Sequence, residues 1–250
     1  MPASDLEKKR FRELALRARH GGAPAFTRFL EPPMEMDVRR AANQEGVQAA
    51  FFGGHADAER RIAALYDGEA PEEWAYPIAC LKLKWNSKYA SPEHRDLLGA
   101  VMGLGLERSA TGDITASADE GTAYLFVHSD VESYVCANLE SAGRASLKVS
   151  PLTEEMRIKP PTGEEIRATT SGQRMDAVLA AGLKLSRSEA QRLISGGIVK
   201  RNHLEELRGD VHLEEGDLLS VRGYGRMRVM GFDGITRKGR LIVRLFRYKG

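Results

Sequence analysis

From Leu185 to Val199 the chain reads LSRSEAQRLISGGIV, and the residue types at its start suit the holding of an anion. Ser186 is a good helix N-cap, and Glu189 follows three residues later, the spacing of a capping box. Arg187 then falls at the first helical position, where the helix dipole disfavours a cation by a few tenths of a kcal/mol. A bound phosphate reverses that balance, because a helix N-terminus with free N–H groups attracts anions. Arg192, Lys200 and Arg201 extend the same basic surface. Taken alone, these residues are equally compatible with a solvated helix–turn–helix face.

Other constellations point to less. The six histidines, at 20, 55, 94, 128, 203 and 212, show no metal-ligand spacing with Cys80 or Cys136, so neither a metal nor a cofactor is expected. Gly103-Leu104-Gly105 comes at the end of a helical pattern rather than after a strand, which makes it a poor cofactor loop. His94 and Asp96 lie at a helix start, where capping and packing are favoured over catalysis. Neither a Ser-His-Asp nor a phosphate-loop pattern is present, and no catalytic residue is expected. Cys80 and Cys136 lie in apolar contexts and read as buried thiols of a cytoplasmic protein.

The anion-holding stretch needs a scaffold. Just before it, Met175, Val178 and Leu179 mark a short amphipathic helix closed by Gly182, and Gly196-Gly197 stop the second helix. Ile198 to Asn202 reads as extended. Met227 to Phe232 and Leu241 to Phe246 alternate like strands, around a turn from Asp233-Gly234 to Gly239-Arg240. Residues 172–250 are therefore expected to form a C-terminal domain with a basic hairpin, preceded by a linker with a strand at 153–171. Residues 171–250 hold 16 Lys/Arg and 9 Asp/Glu, a balance of +7, while the remainder carries −5. That asymmetry concentrates contact with a polyanion at the C-terminal end.

Residues 1–75 read as mostly helical. Leu6, Phe11, Leu14 and Ala15 mark one helix, Val38 to Ala42 a second, and Ile62, Leu65 and Tyr66 a third after Asp57, with Val47 to Phe52 as a strand. Arg60-Arg61 read as the solvated face of that third helix, with nucleic-acid contact as the alternative. Residues 76–152 give the order β-α-β-β-α-β. The strands are expected at Tyr76–Trp85, Asp113–Ala116, Thr122–Val127 and Ala145–Val149, with helices starting at Ser91-Pro92 and running from Val131 to Gly143. This order implies a ferredoxin-like domain, a topology that RNA-recognition motifs share with many unrelated proteins. Tyr124 and Phe126 share one face, where they either stack on bases or fill the core under the helices; the core reading is favoured. Lys82, Lys84 and Lys88 add positive charge on or near the first strand. The fold class expected is α+β. No apolar run approaches the roughly 18 residues of a membrane span, and the N-terminus lacks the apolar block of a secretion signal, so no membrane insertion is expected.

The run around Arg187 resembles the RNA-binding domain named after small-subunit ribosomal protein S-four. The resemblance rests on Arg174-Met175-Asp176, Ser186-Arg187-Ser188-Glu189-Ala190, Ile194 to Gly197, Val199, and Gly216-Asp217. Where that family usually has Asn-Gly after the first strand, this chain has Asn202-His203. The resemblance implies RNA contact through Arg174, Ser186, Arg187, Ser188, Gln191, Arg192, Lys200, Arg201, Asn202, Arg222 and Arg226.

Further segments widen the resemblance. They are Phe26 to Pro32, Phe52-Gly53-Gly54-His55-Ala56-Asp57-Ala58-Glu59-Arg60, His94 to Arg108 with Gly112-Asp113-Ile114, and Arg222-Gly223-Tyr224-Gly225-Arg226. Together they resemble the YlmH family of bacterial and plastid proteins. That implies RNA binding without catalysis, with ribosomal RNA and tRNA on the large ribosomal subunit as partners, in rescue of stalled complexes that still hold peptidyl-tRNA. It also implies a link to cell division and its proteins, drawn from gene neighbourhood. The competing reading is an RNA-modifying enzyme, of pseudouridine-synthase or methyltransferase type, with this module appended. Against it, Gln173-Arg174-Met175-Asp176 only superficially matches a synthase loop and is the opening of the module itself. A protein-interaction adaptor for division is a third reading.

Overall fold

Ser4 opens the first helix, α1 (Asp5–Gly21), with a reciprocal cap: its hydroxyl accepts from the Glu7 amide while the Glu7 carboxylate accepts from the Ser4 amide. The structure is a computed structural model that describes residues 3–249, and the chain divides into two units between Pro160 and Pro161.

After α1 come β1 (Ala25–Leu30), α2 (Glu35–Glu45), β2 (Gln48–Phe52) and β3 (Arg61–Tyr66), and the strands pair antiparallel in the order β1-β3-β2. The region expected to be mostly helical is thus two helices on a three-stranded sheet. The third helix expected after Asp57 is β3. Its run Ile62-Ala63-Ala64-Leu65-Tyr66 is buried throughout. Ala63 and Leu65 pack with α1 and α2, while Ile62 and Ala64 pack on the other side of the sheet. A strand covered on both faces loses its polar alternation, and its apolar run then mimics helical spacing.

The rest of the first unit follows the βαββαβ order. It comprises β4 (Ile78–Lys84), α3 (His94–Gly103), β5 (Thr111–Ala116), β6 (Thr122–His128), α4 (Glu132–Asn138), a small hairpin of β7 (Ser141–Ala142) and β8 (Ala145–Ser146), and β9 (Lys148–Pro151). The sheet order is β5-β6-β4-β9 with every neighbour antiparallel, the ferredoxin-like arrangement. The first three strands match expectation to within two residues, and larger differences follow. α3 starts at His94, not at Ser91-Pro92, because the Asp96 carboxylate accepts from the Glu93 amide at 2.9 Å and fixes the cap there. α4 ends at Asn138, and Gly143 serves the β7–β8 turn instead. The last strand pairs with β4 over Lys148–Pro151, while Ala145–Ser146 belongs to the hairpin.

Leu81, Leu83, Leu125 and Val127 face α3 and α4. Tyr124 and Phe126 are buried too, but not under the helices: they lie on the opposite face, against Phe29, Ile62 and Ala64 of the N-terminal sheet. Leu152, Met156 and Ile158 close the same layer. Their segment is held by Ala118 N–H to Arg157 O (2.7 Å) and Lys159 N–H to Ala116 O (2.9 Å).

The second unit begins with β10 (Gly163–Thr170). It continues through α5 (Met175–Leu183), α6 (Arg187–Ser195), β11 (Val199–Arg201), β12 (Leu204–Glu205), β13 (Leu218–Val221), β14 (Gly225–Ile235) and β15 (Leu241–Tyr248). The sheet runs β10-β15-β14-β13-β11-β12, antiparallel throughout. Met175, Val178, Leu179 and Ile194 of the two helices pack on Leu219, Met227, Val229, Val243 and Leu245. Gly182 does not end α5, which closes on Lys184 at φ 57°. It permits close approach instead, since a Cβ there would lie 2.7 Å from Leu245 Cδ1.

Candidate nucleic-acid interface

Lys184 in the left-handed region turns the chain out of α5 and directs Ser186 to the head of α6. The expected cap forms: the Glu189 amide donates to Ser186 Oγ at 3.2 Å, and the Ser186 amide donates to Glu189 Oε2 at 2.8 Å. Ser188 Oγ lies 3.1 Å from Ser186 Oγ. Arg187 occupies the first helical position, as expected, but its charge is balanced from α5. Its Nη2 donates to both oxygens of Asp176, at 3.1 and 3.2 Å. Arg174 donates to the same carboxylate, from Nη2 at 3.0 Å and Nε at 3.3 Å.

Asp176 is the hub that sequence reasoning missed. Burial alone would raise its carboxyl, but the bonds from Arg174 and Arg187 outweigh that and hold it below the ordinary carboxylate range. Donating to Asp176 in turn raises the Arg174 guanidinium above its usual value. The Asp176 side chain is 6% exposed, whereas those of Arg174 and Arg187 are 42% and 52% exposed. One buried carboxylate therefore fixes two guanidiniums whose outer edges face solvent beside a helix N-terminus. Such a pair meets a phosphate without first having to be ordered. Gln191, one turn along α6, lies against Gly209, whose carbonyl accepts the Asp176 amide. Arg192 is exposed on the same helix.

The remaining expected contacts lie elsewhere. Arg201 and Asn202 are tied to buried Asp217: Arg201 Nε donates at 3.0 Å, Asn202 Nδ2 at 2.6 Å, and Asn202 Oδ1 accepts from the Leu218 amide at 2.9 Å. These bonds brace the β11–β12 turn. Asn202 (φ 48°) and His203 (φ 70°) are both left-handed there, so the two-residue turn keeps its shape with histidine in place of glycine. Lys200 pairs with Ser220, and Ser220 pairs with Arg226, which puts Lys200 and Arg226 on the sheet face turned away from α5 and α6. Arg222 lies at the β13–β14 turn. Arg174, Ser186, Arg187, Ser188 and Gln191 thus come together, and Lys200, Arg201, Asn202, Arg222 and Arg226 do not join them.

In the first unit the basic pairs are structural. Arg60 is buried and donates to the carbonyls of Thr111 (3.0 Å), Phe29 (3.4 Å) and Arg108 (3.0 Å), and burial with Arg108 nearby lowers it to about 10. Arg61 grips Glu35 with two bonds of 2.7 and 2.5 Å. Neither lies on the helix face expected for them. Lys82 is paired with Glu154. The thiol of Cys80 is pushed up to about 12 by burial, and that of Cys136 is raised by burial and Glu132.

Comparison with known proteins places these features in a family. A model described as "Putative RNA-binding domain in YlmH" matches residues 71–155, and the "S4 domain" model matches residues 173–217. The Bacillus subtilis (strain 168) "Ribosome-associated protein quality control protein P2" is 35% identical over 226 residues, covering 90% of this chain and 87% of its own. The chain belongs to the YlmH family. A solved structure, "Cell division protein ylmH from Streptococcus pneumoniae", is 22% identical and covers 60% of this chain and 93% of its own, with a TM-score of 0.47. In this YlmH-family chain the two matched regions differ in access. The α6 tip lies in the S4 match and is open, whereas the aromatic sheet face of the other match is buried.

Proposed function

We propose that this protein is a non-catalytic RNA-binding protein of the ribosome, which holds ribosomal RNA and tRNA on the large subunit during quality control of stalled complexes. The observation that carries the reading is the pair Arg174 and Arg187, fixed by Asp176 at the head of α6 within the S4-domain match. Two preset guanidiniums and free helix N–H groups suit a sugar–phosphate backbone, which is read without base contacts. The ribosome-associated name of the Bacillus relative supports the ribosome as the place of action. In this reading the site grips RNA and makes or breaks no bond.

Sedimentation of the tagged protein through a sucrose gradient, with sequencing of crosslinked RNA, tests it. The protein is expected to travel with large subunits and to crosslink to ribosomal RNA and tRNA through the second unit. Free sedimentation at the top of the gradient would contradict the proposal. A modification assay on bulk RNA tests the absence of chemistry: reproducible product, abolished by a point change in this chain, would overturn that part.

A further inference from the structure

The face of the six-stranded sheet turned away from α5 and α6 carries a surface that the helix tip does not use. In β14 and β15 the core residues Met227, Val229, Val243 and Leu245 point toward the helices, so their neighbours in sequence point outward. Arg228 and Glu165 both stand opposite Phe246, and Arg167 stands opposite Arg244. An antiparallel sheet with one wet face ordinarily shows mixed polar residues there. Here the outward positions combine arginines with two rings.

The rings are fixed in place. The Phe246 ring lies over Gly163, where a Cβ would come within 2.6 Å of it. It meets Tyr248 edge to face at a centroid separation of 5.1 Å and 83° between planes. Arg228 Nε donates to the Tyr248 hydroxyl at 2.9 Å, and the Arg226 guanidinium stands 5.3 Å from the Tyr248 ring centroid. Lys200 extends the positive charge along β11. Acids on or beside this face include Glu165, Glu205 opposite Lys200, Glu215 near Gly231, and Asp233, which pairs with Arg244 at 2.8 Å. Positive charge on this face comes from Arg167, Arg226, Arg228, Arg244 and Lys200.

We propose that this partly exposed sheet face, centred on Tyr248, Phe246, Arg226 and Arg228, binds a second segment of RNA in single-stranded form, so that the unit holds one RNA segment on each side of its sheet. Rings and guanidiniums set flush in a sheet suit unpaired bases, which stack on them, and the neighbouring cations track the backbone. A duplex hides its base faces and gains little from such a surface. The helix tip and this face lie on opposite sides of the sheet, so the same few nucleotides do not reach both. The proposal rests on the RNA-binding reading above and deepens it.

The test uses the full chain and a fluorescent oligoadenylate of about ten nucleotides, within the range of single-strand site sizes. Titration at micromolar protein is expected to show two oligonucleotides per chain. Tyr248→Leu and Arg226→Gln are each expected to weaken one of the two sites by about ten-fold, the effect of losing one stacked base. Tyr248→Phe keeps the ring and is expected to retain most of the affinity. Arg187→Ala is expected to weaken the other site, and combining it with Arg226→Gln to weaken both. One oligonucleotide per chain, with Arg226→Gln and Tyr248→Leu binding as wild type while Arg187→Ala binds weakly, would overturn the second surface and leave the helix-tip reading standing. Absence of binding in the wild type would overturn both. Polyglutamate bound as tightly as the oligonucleotide, and equally sensitive to Tyr248→Leu, would assign the face to an acidic peptide and overturn the proposal.

Discussion

The two larger sheets of this protein are built alike and differ in how far their second faces are buried. Each is antiparallel, and each carries its helices on one face. In the middle of the chain the second face is closed by another sheet, so Tyr124 and Phe126 are sealed among Phe29, Ile62 and Ala64. In the C-terminal sheet the second face keeps Arg226 exposed and Arg228, Phe246 and Tyr248 half-buried. A strand order shared with RNA-recognition motifs therefore says little about where RNA goes; what covers the second face decides it.

The largest effect that sharpens this comparison is expected at Phe126. Removing a fully buried ring leaves a cavity, so Phe126→Ala should lower the unfolding free energy of the first unit by about 3–5 kcal/mol. Tyr248→Leu on the half-buried second face of the C-terminal sheet should cost the second unit less, about 1 kcal/mol. Urea denaturation of the full chain, followed unit by unit, measures both, and a larger loss from Tyr248→Leu would break the contrast. Next in size, Arg187→Ala should weaken RNA binding about ten-fold, the loss of one charge-assisted contact, and destabilise the second unit less than Asp176→Asn does, because Asp176 keeps its bonds from Arg174. The same assay on Lys82→Ala in the first unit should show little change, because that lysine is already paired with Glu154.

Acid should separate the units as well. Asp176 is held below its unfolded value of about 3.9. The unfolded chain therefore takes up the proton first as pH falls. The contribution of this carboxylate is complete above the unfolded value and is lost as pH drops through the lower folded value. Asp176→Asn should lower the stability of the second unit at neutral pH and flatten its loss below about pH 4, as read from melting temperature against pH. The smallest effect is expected at His203, whose φ of 70° strains a residue with a Cβ. His203→Gly should raise the melting transition slightly, by about 1 kcal/mol at most, with RNA affinity unchanged.

What the sequence revealed was local. Ser186 and Glu189 are three residues apart, and their cap was legible because both partners belong to one turn of helix. The βαββαβ order was legible from alternating strands, each with one helix-facing side. The pairing of Arg187 with Asp176 spans two helices and depends on their packing, so the arginine was visible and its partner was not. Lys200 was grouped with the helix tip by charge and Arg226 by the family resemblance, but only cross-strand register reveals that they face the other way. β3 was hidden because two layers cover it, which erases the period that identifies a strand.

The salt dependence of RNA binding, compared between the wild type and Arg187→Ala, tests the central claim most directly. If the α6 tip holds about four to six phosphates of unpaired RNA, log affinity should fall with log salt at a slope of roughly −3 to −4. Arg187→Ala should then bind more weakly, with a slope shallower by about 0.7. A flat salt response in the wild type, or identical affinity and slope in the variant, would contradict the account.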